Sequence, residues 1–247
     1  MGSTLDRHAD LLIRKLEGVG RFSDEQRRAV QDLPAKFRSL QSGQDFVCDG
    51  DEPAQCCLIL DGWLARYKLI DQGRRQILSF HVPGDTPDLQ SLHLGVMDHS
   101  LCAVAPSNVA FIPHDSLRAL AAEFPAIGAA LWRDTLIDAA IFRAWMTGIG
   151  RRSAHERIAH LLCEMVAKLQ AVGLSDGDSA AWPITQLDIA DSLGLTSVHV
   201  NRVLQDLRAR KLITLAKRRL SIEDKQQLSD LAEFTSAYLN LPPSRAA

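Results

Sequence analysis

The sequence predicts an α+β protein: a β-roll (jelly roll) first, a long helix in the middle, and a small helical domain carrying a hairpin last. Three observations carry this. Before Pro125, short alternating apolar runs are broken repeatedly by glycine and proline. From Pro125 to Val172 no further proline interrupts a helical pattern. Ile184–Ile213, reading ITQLDIADSLGLTSVHVNRVLQDLRARKLI, holds a short capped helix, a glycine turn and a second helix with one apolar and one polar face. The expected segments are residues 1–124, the roll with its N-terminal helices; 125–150, a dimerisation helix and hinge; and 151–247, the C-terminal domain. A chain of 247 residues with 46% apolar content and 23% charge suits two modest cores.

Phe22-Ser23-Asp24-Glu25-Gln26 reads as a helix start ahead of the roll. Turns at Gln41-Ser42-Gly43 and Asp49-Gly50-Asp51 flank Phe46-Val47-Cys48. Trp63, Ala65, Tyr67 and Leu69 alternate with Leu64, Arg66 and Lys68, and Asp71-Gln72-Gly73 turns the chain into Gln76–Phe80, so two strands pair there. Val109–Pro113 reads as a closing strand, and the spacing as a whole suits a jelly roll or barrel.

In the long helix, Ala130, Ile137, Ile141, Ala144 and Gly148 fall on or near a heptad seam that Asp134 interrupts. Leu131, Trp132, Leu136, Phe142 and Trp145 make other faces apolar, as for a helix packed on a partner and on its own roll. The hinge is expected near Gly148 to Ser153, before a helix with Ile158, Leu161, Leu162 and Met165 as its apolar stripe.

The C-terminal motif is specified residue by residue. Thr185 caps the first short helix and Asp188 closes a capping box three residues on. Gly194 supplies the turn, and Thr196 caps the second helix. There Val200, Val203, Leu204 and Leu207 form a buried stripe, leaving Ser197, Val198, Asn201, Arg202, Gln205 and Arg208 outward. Leu212–Leu215 and Arg219–Ile222 form a hairpin around Ala216-Lys217-Arg218. Between Thr196 and Arg219 the bases Arg202, Arg208, Arg210, Lys211, Lys217, Arg218 and Arg219 face the single acid Asp206. With a formal net charge of −2 for the chain, basic character is confined to this end, which suits a phosphate backbone and implies double-stranded DNA as partner.

These residues resemble the winged helix-turn-helix of the Crp/Fnr superfamily of bacterial transcription regulators, and the likeness runs from about Leu11 to Leu231. Phe80-His81-Val82-Pro83-Gly84-Asp85 is similar to the approach to that family's ligand cassette. The resemblance implies a sensor roll, a homodimer on a palindromic site, and RNA polymerase as a further partner. It places Arg202 as the guanine reader, with Ser197, Val198, His199 and Asn201 facing bases or phosphates beside it. Thr185, Gln186, Lys217 and Arg218 complete the expected DNA contacts. Where relatives carry arginine and glutamate, this chain has Ser197 and Val198, so a different target follows.

In nucleotide-binding relatives a glutamate holds the ribose, and an arginine followed by a small hydroxyl residue and alanine holds the cyclic phosphate. Here Asp85 stands near the glutamate position and Asp98-His99-Ser100-Leu101 replaces the arginine segment, so Asp85, His99 and Ser100 are the candidate ligand residues. A histidine lacks the forked, permanent charge of arginine, which argues against cyclic AMP in the usual mode. Relatives with an iron–sulfur cluster carry closely spaced cysteines near the N-terminus. None precedes Cys48, which argues against a cluster. The odd set Cys48, Cys56, Cys57, Cys102 and Cys163 does not read as a secreted disulfide framework. His81, His93, His99 and His114 show no tight ligand spacing with Cys102, so no metal is assigned. No GxSxG, P-loop or metalloprotease motif appears, so the chain is not read as an enzyme. No apolar run approaches about 20 residues and Met1–Asp10 lacks a signal-peptide core, so no membrane contact and a cytoplasmic location are expected. The competing reading is a small-molecule, metal or redox sensor whose main role is ligand binding.

Overall fold

A computed structural model describes residues 4–19 and 21–241; the outer ends of the first and last expected segments lie outside them. Two helices open the chain, α1 (Thr4–Leu16) and α2 (Asp24–Gln31). The second starts where the sequence places it. Ser23 accepts from the Gln26 amide, and the Gln26 side chain accepts in return from the Ser23 amide.

Seven strands follow: β1 (Lys36–Leu40), β2 (Asp45–Val47), β3 (Gln55–Asp61), β4 (Leu64–Ile70), β5 (Arg74–His81), β6 (Ser100–Ala103) and β7 (Ser107–Pro113). They form a three-stranded sheet ordered β1-β7-β3 and a four-stranded sheet ordered β2-β6-β4-β5. Strand β3 shows how the roll is held. Its alternate side chains Cys56, Leu58 and Leu60 pack with Leu12, Ile13 and Leu16 of α1, while Cys57 and Ile59 join Leu40, Leu64, Val109 and Phe111 inside the roll. With both faces covered, β3 is an almost unbroken apolar run rather than an alternating one. The adjacent cysteines thus point to opposite sides, and burial raises the pKa of both thiols. Gly62 permits the next turn, because a Cβ there would lie 2.5 Å from the Pro106 carbonyl oxygen.

After α3 (His114–Glu123) comes the long helix α4 (Pro125–Arg151). It is continuous through Gly148 and Gly150, and the chain breaks only at Arg152-Ser153, where Ser153 and Glu156 cap α5 (Ala154–Ala171). The faces of α4 divide differently from the heptad expectation. Ala130, Ile141 and Gly148 are buried within the chain, whereas Trp132, Leu136, Met146 and Ile149 are left on the surface. At about 100° per residue, Trp132, Leu136 and Met146 share a face nearly opposite the predicted seam. A helix with two apolar faces has one periodicity, and only packing decides which face turns inward.

The contact pattern divides the chain into two units, the first holding the roll with α1–α3 and α4 to Ala139, the second Leu69–Leu78 with the chain from Ala140 on. The second continues with β8 (Ser175–Asp176), β9 (Ser179–Ala181), α6 (Gln186–Leu193), α7 (Ser197–Ala209), β10 (Ile213–Ala216), β11 (Arg219–Ile222) and α8 (Lys225–Ala232). The expected two-stranded wing is a four-stranded sheet, ordered β10-β11-β9-β8. Strands β8 and β9 are short serine-, aspartate- and alanine-rich pieces without apolar alternation, and they are strands through pairing, β9 with β11 and β8 with β9. No helix of the described residues is long and apolar enough to cross a membrane.

A buried carboxylate joins α4, α5 and the C-terminal segment. Glu164, 1% exposed, accepts from the Trp145 indole at 3.1 Å and from the Tyr238 hydroxyl at 2.5 Å, while His160 stacks on Tyr238. Burial, aided by Arg152, pushes His160 from 6.5 down to about 4. A depressed histidine favours folding in its neutral form, so this contribution is complete above pH 6.5 and disappears as pH falls towards 4. Calorimetry from pH 7 to 4 should show up to about 3 kcal/mol of stability lost through this group. His160→Phe, which keeps a ring against Tyr238, should reduce that loss; an unchanged profile would remove His160 as its source.

Candidate nucleic-acid interface

The reading motif is built from its caps outward. Thr185 Oγ1 accepts from the Asp188 amide at 3.1 Å, and Asp188 Oδ2 accepts from the Thr185 amide at 2.8 Å, closing the predicted capping box. Gly194, with φ of 63°, ends α6 in the left-handed region and donates its amide to the Ala190 carbonyl. Thr196 then caps α7, accepting from the His199 amide at 3.2 Å. Arg157 of α5 donates to the Leu193 carbonyl at 2.7 Å, satisfying the end of α6 from outside the motif.

These constraints set the roll of α7 about its axis. Val200, Val203, Leu204 and Leu207 are buried, and Ser197, Val198, His199, Asn201 and Arg202 all face solvent. Val198 is 63% exposed, a large apolar side chain held out of the core. Asn201 donates to Gln186 Oε1 at 3.1 Å, joining the polar face of α7 to the first turn of α6. Beside them the wing turns at Lys217 and Arg218, which have φ of 49° and 56°. Two successive positive φ values make the tight turn that suits the twist of paired strands. The side chains of Arg202, Lys217 and Arg218 make no hydrogen bond or ion pair among the described residues. The structure thus gathers the expected DNA residues on α6, α7 and the wing, with their cations unneutralised, as a polyanion requires.

The three expected ligand residues of the roll are engaged internally. Asp85 accepts from Lys15 of α1 at 2.6 Å and from the Val82 amide at 3.1 Å, and Lys15 also pairs with Asp134 of α4 at 3.3 Å. Burial would depress the Lys15 ammonium, but Asp134 and Asp85 outweigh it and hold its pKa above the ordinary lysine range. His99, its pKa lowered mainly by burial, lies 2.6 Å from Asp98, and Ser100 accepts from the Asp49 amide at 3.0 Å. A second cation, the Arg66 guanidinium of β4, is 3% exposed; it donates to Asp138 of α4 at 2.7 Å and to the Pro87 carbonyl. Neither Lys15 nor Arg66 could be picked out from sequence, because each partner on α4 is remote in the chain. Among the described residues no three His, Cys, Asp or Glu side chains converge as a metal site.

A β-roll joined by a long helix to a winged helix-turn-helix with a free basic face defines a class of regulator. A profile of the cyclic nucleotide-binding domain matches residues 37–124, and one of the Crp-like helix-turn-helix domain matches residues 156–231. The chain belongs to the Crp/Fnr superfamily. It is 28% identical over 184 residues to the nitrogen fixation regulation protein FixK of Rhizobium meliloti (strain 1021), covering 74% of this chain and 80% of that one. It is 26% identical over 235 residues to the transcriptional activator protein FnrL of Cereibacter sphaeroides, covering 92% of each. The solved structure of FixK2 from Bradyrhizobium japonicum matches with a TM-score of 0.74 at 27% identity, covering 82% of this chain and 100% of that one.

Lys15→Met should cost roughly 1–3 kcal/mol, because it leaves Asp85 and Asp134 facing each other without a counter-ion; part exposure of Lys15 keeps the figure below that of a fully buried pair. Chemical denaturation would measure this, and the double variant Lys15→Met/Asp134→Asn should recover part of the loss.

Proposed function

We propose that the protein is a transcription regulator, not an enzyme, that binds a palindromic site on double-stranded DNA as a homodimer. The observation that carries this is the exposed face of α7, where Arg202 stands unpaired on the same side as Ser197, His199 and Asn201, together with the unpaired Lys217 and Arg218 at the turn of the wing. A free guanidinium at that place offers two donors to O6 and N7 of a guanine. Ser197, His199 and Asn201 supply shorter donors and acceptors, and Val198 suits a thymine methyl. Thr185, Gln186, Lys217 and Arg218 are assigned to phosphates, which fix orientation without reading sequence. The roll (1–124), the helix and hinge (125–150) and the reader (151–247) divide the work, with RNA polymerase as a further partner and the cytoplasm as the place of action.

The dimer is assigned to the apolar face that α4 leaves on the surface, Trp132, Leu136 and Met146, rather than to Ala130 and Ile141 on the face turned inward. A second copy covering this stripe would bring two reading helices to half-sites about one helical turn apart. Cyclic AMP in the usual mode does not suit the roll, where Asp85, His99 and Ser100 are engaged by Lys15, Asp98 and Asp49. The competing reading, a protein whose business is ligand binding alone, leaves the unneutralised α7 face and wing without a use.

Arg202→Ala should cost about 1–3 kcal/mol at one base pair per half-site, read as relaxed preference there when sites are selected from random DNA. An unchanged preference would remove Arg202 as the base reader. Leu136→Glu should shift the protein to monomer in analytical ultracentrifugation and weaken site binding with it; a dimer that persists would place the interface elsewhere.

A further inference from the structure

Arg75 lies far in sequence from the reading helices, on the hairpin where β4 turns into β5, and Leu69–Leu78 packs as part of the unit that contains them. Its guanidinium engages two carboxylates of α6 together: Nη2 donates to Asp188 Oδ1 at 2.6 Å, and Nε donates to Asp191 Oδ2 at 2.9 Å. The next residue, Gln76, donates from Nε2 to the Ser192 carbonyl at 3.2 Å. These side chains are largely shielded, with Arg75 27%, Asp188 12% and Asp191 21% exposed, so the pair is not a loosely solvated surface bridge. The planar fork of arginine can span both acids with fixed donors, which a lysine ammonium cannot reproduce.

Asp188 makes this contact consequential. Its Oδ1 takes Arg75 while its Oδ2 holds the Thr185 amide and hydroxyl, so one carboxylate ties the hairpin to the start of α6. Gln186, the first residue of that helix, in turn accepts from Asn201 on α7. A chain of direct contacts therefore leads from Arg75 to the polar face of the reading helix.

We propose that Arg75 is a positioning residue for DNA recognition. It holds α6, and through it α7, in reading register. This rests on the DNA-binding function proposed above. The role differs from that of a phosphate-contacting arginine, which would strengthen binding to all sequences alike and add to the salt dependence.

The test uses full-length protein, unaltered and as Arg75→Gln, Asp191→Asn and the double variant. Affinities are measured against salt on a duplex selected by the unaltered protein and on a scrambled duplex, with amide exchange followed over residues 186–193. Loss of a shielded, two-pronged arginine should weaken the selected site about tenfold and the scrambled duplex less than about twofold, with the salt slope unchanged. Exchange in α6 should quicken at unchanged melting temperature, and the double variant should be no weaker than Arg75→Gln alone, since both changes break one contact. Equal losses on both duplexes with a slope shallower by about one would overturn the proposal in favour of a direct phosphate contact. Unchanged affinity and exchange would overturn it outright. If the unaltered protein selects no duplex, the DNA-binding function fails and the proposal with it, while quickened α6 exchange in Arg75→Gln would still establish the clamp as structural.

Discussion

The geometry of the reading face depends on how the two short helices of the motif are started and stopped. An eight-residue helix has little stability of its own, because most of its backbone donors and acceptors lie within a turn of an end. In α6 the Thr185–Asp188 box satisfies the first amides, and Gly194 and Arg157 satisfy the last carbonyls. Thr196 opens α7 one residue after the turn closes with Leu195 donating to Ala190. With both ends held, four apolar side chains of α7 reach the core in only one rotation, and the polar face has no freedom to turn away. The unpaired state of Arg202 is a product of that rotation.

The roll solves a different problem with charges. Helix α4 presents Asp134 and Asp138 to a domain whose interior is apolar, and each is met by a cation from another element, Lys15 and Arg66. Isolated, such carboxylates would be costly to bury; paired, they fix α4 on the roll more specifically than apolar packing does. Lys15 also engages Asp85, one of the three candidate ligand residues of the roll.

Much of this was legible in one dimension because the causes are local. A capping box spans four residues, a heptad stripe spans two turns, and a glycine turn is a single residue, so Thr185, Asp188, Gly194, Thr196 and the stripe from Val200 to Leu207 could be assigned from spacing alone. Strands β4, β5 and β7 were legible for the same reason, as was the helix start over Phe22–Gln26, though not Ser23 as its cap. Family resemblance added the order of the domains, since it transfers a whole arrangement rather than a local preference.

What escaped the sequence depends on partners remote in the chain. Strands β8 and β9 carry no pattern of their own; β9 forms on β11 and β8 on β9. The inward and outward faces of α4 could not be told apart, because both are apolar and the choice rests on what packs against each. Lys15, Arg66 and Arg75 are ordinary basic residues until the fold brings carboxylates from other helices within about hydrogen-bond distance. Local spacing thus determined where the helices of the reader begin, end and turn their apolar sides. Tertiary packing alone decided which charges are cancelled and which are left for DNA, because an ion pair is set by distance in space and leaves no period along the chain.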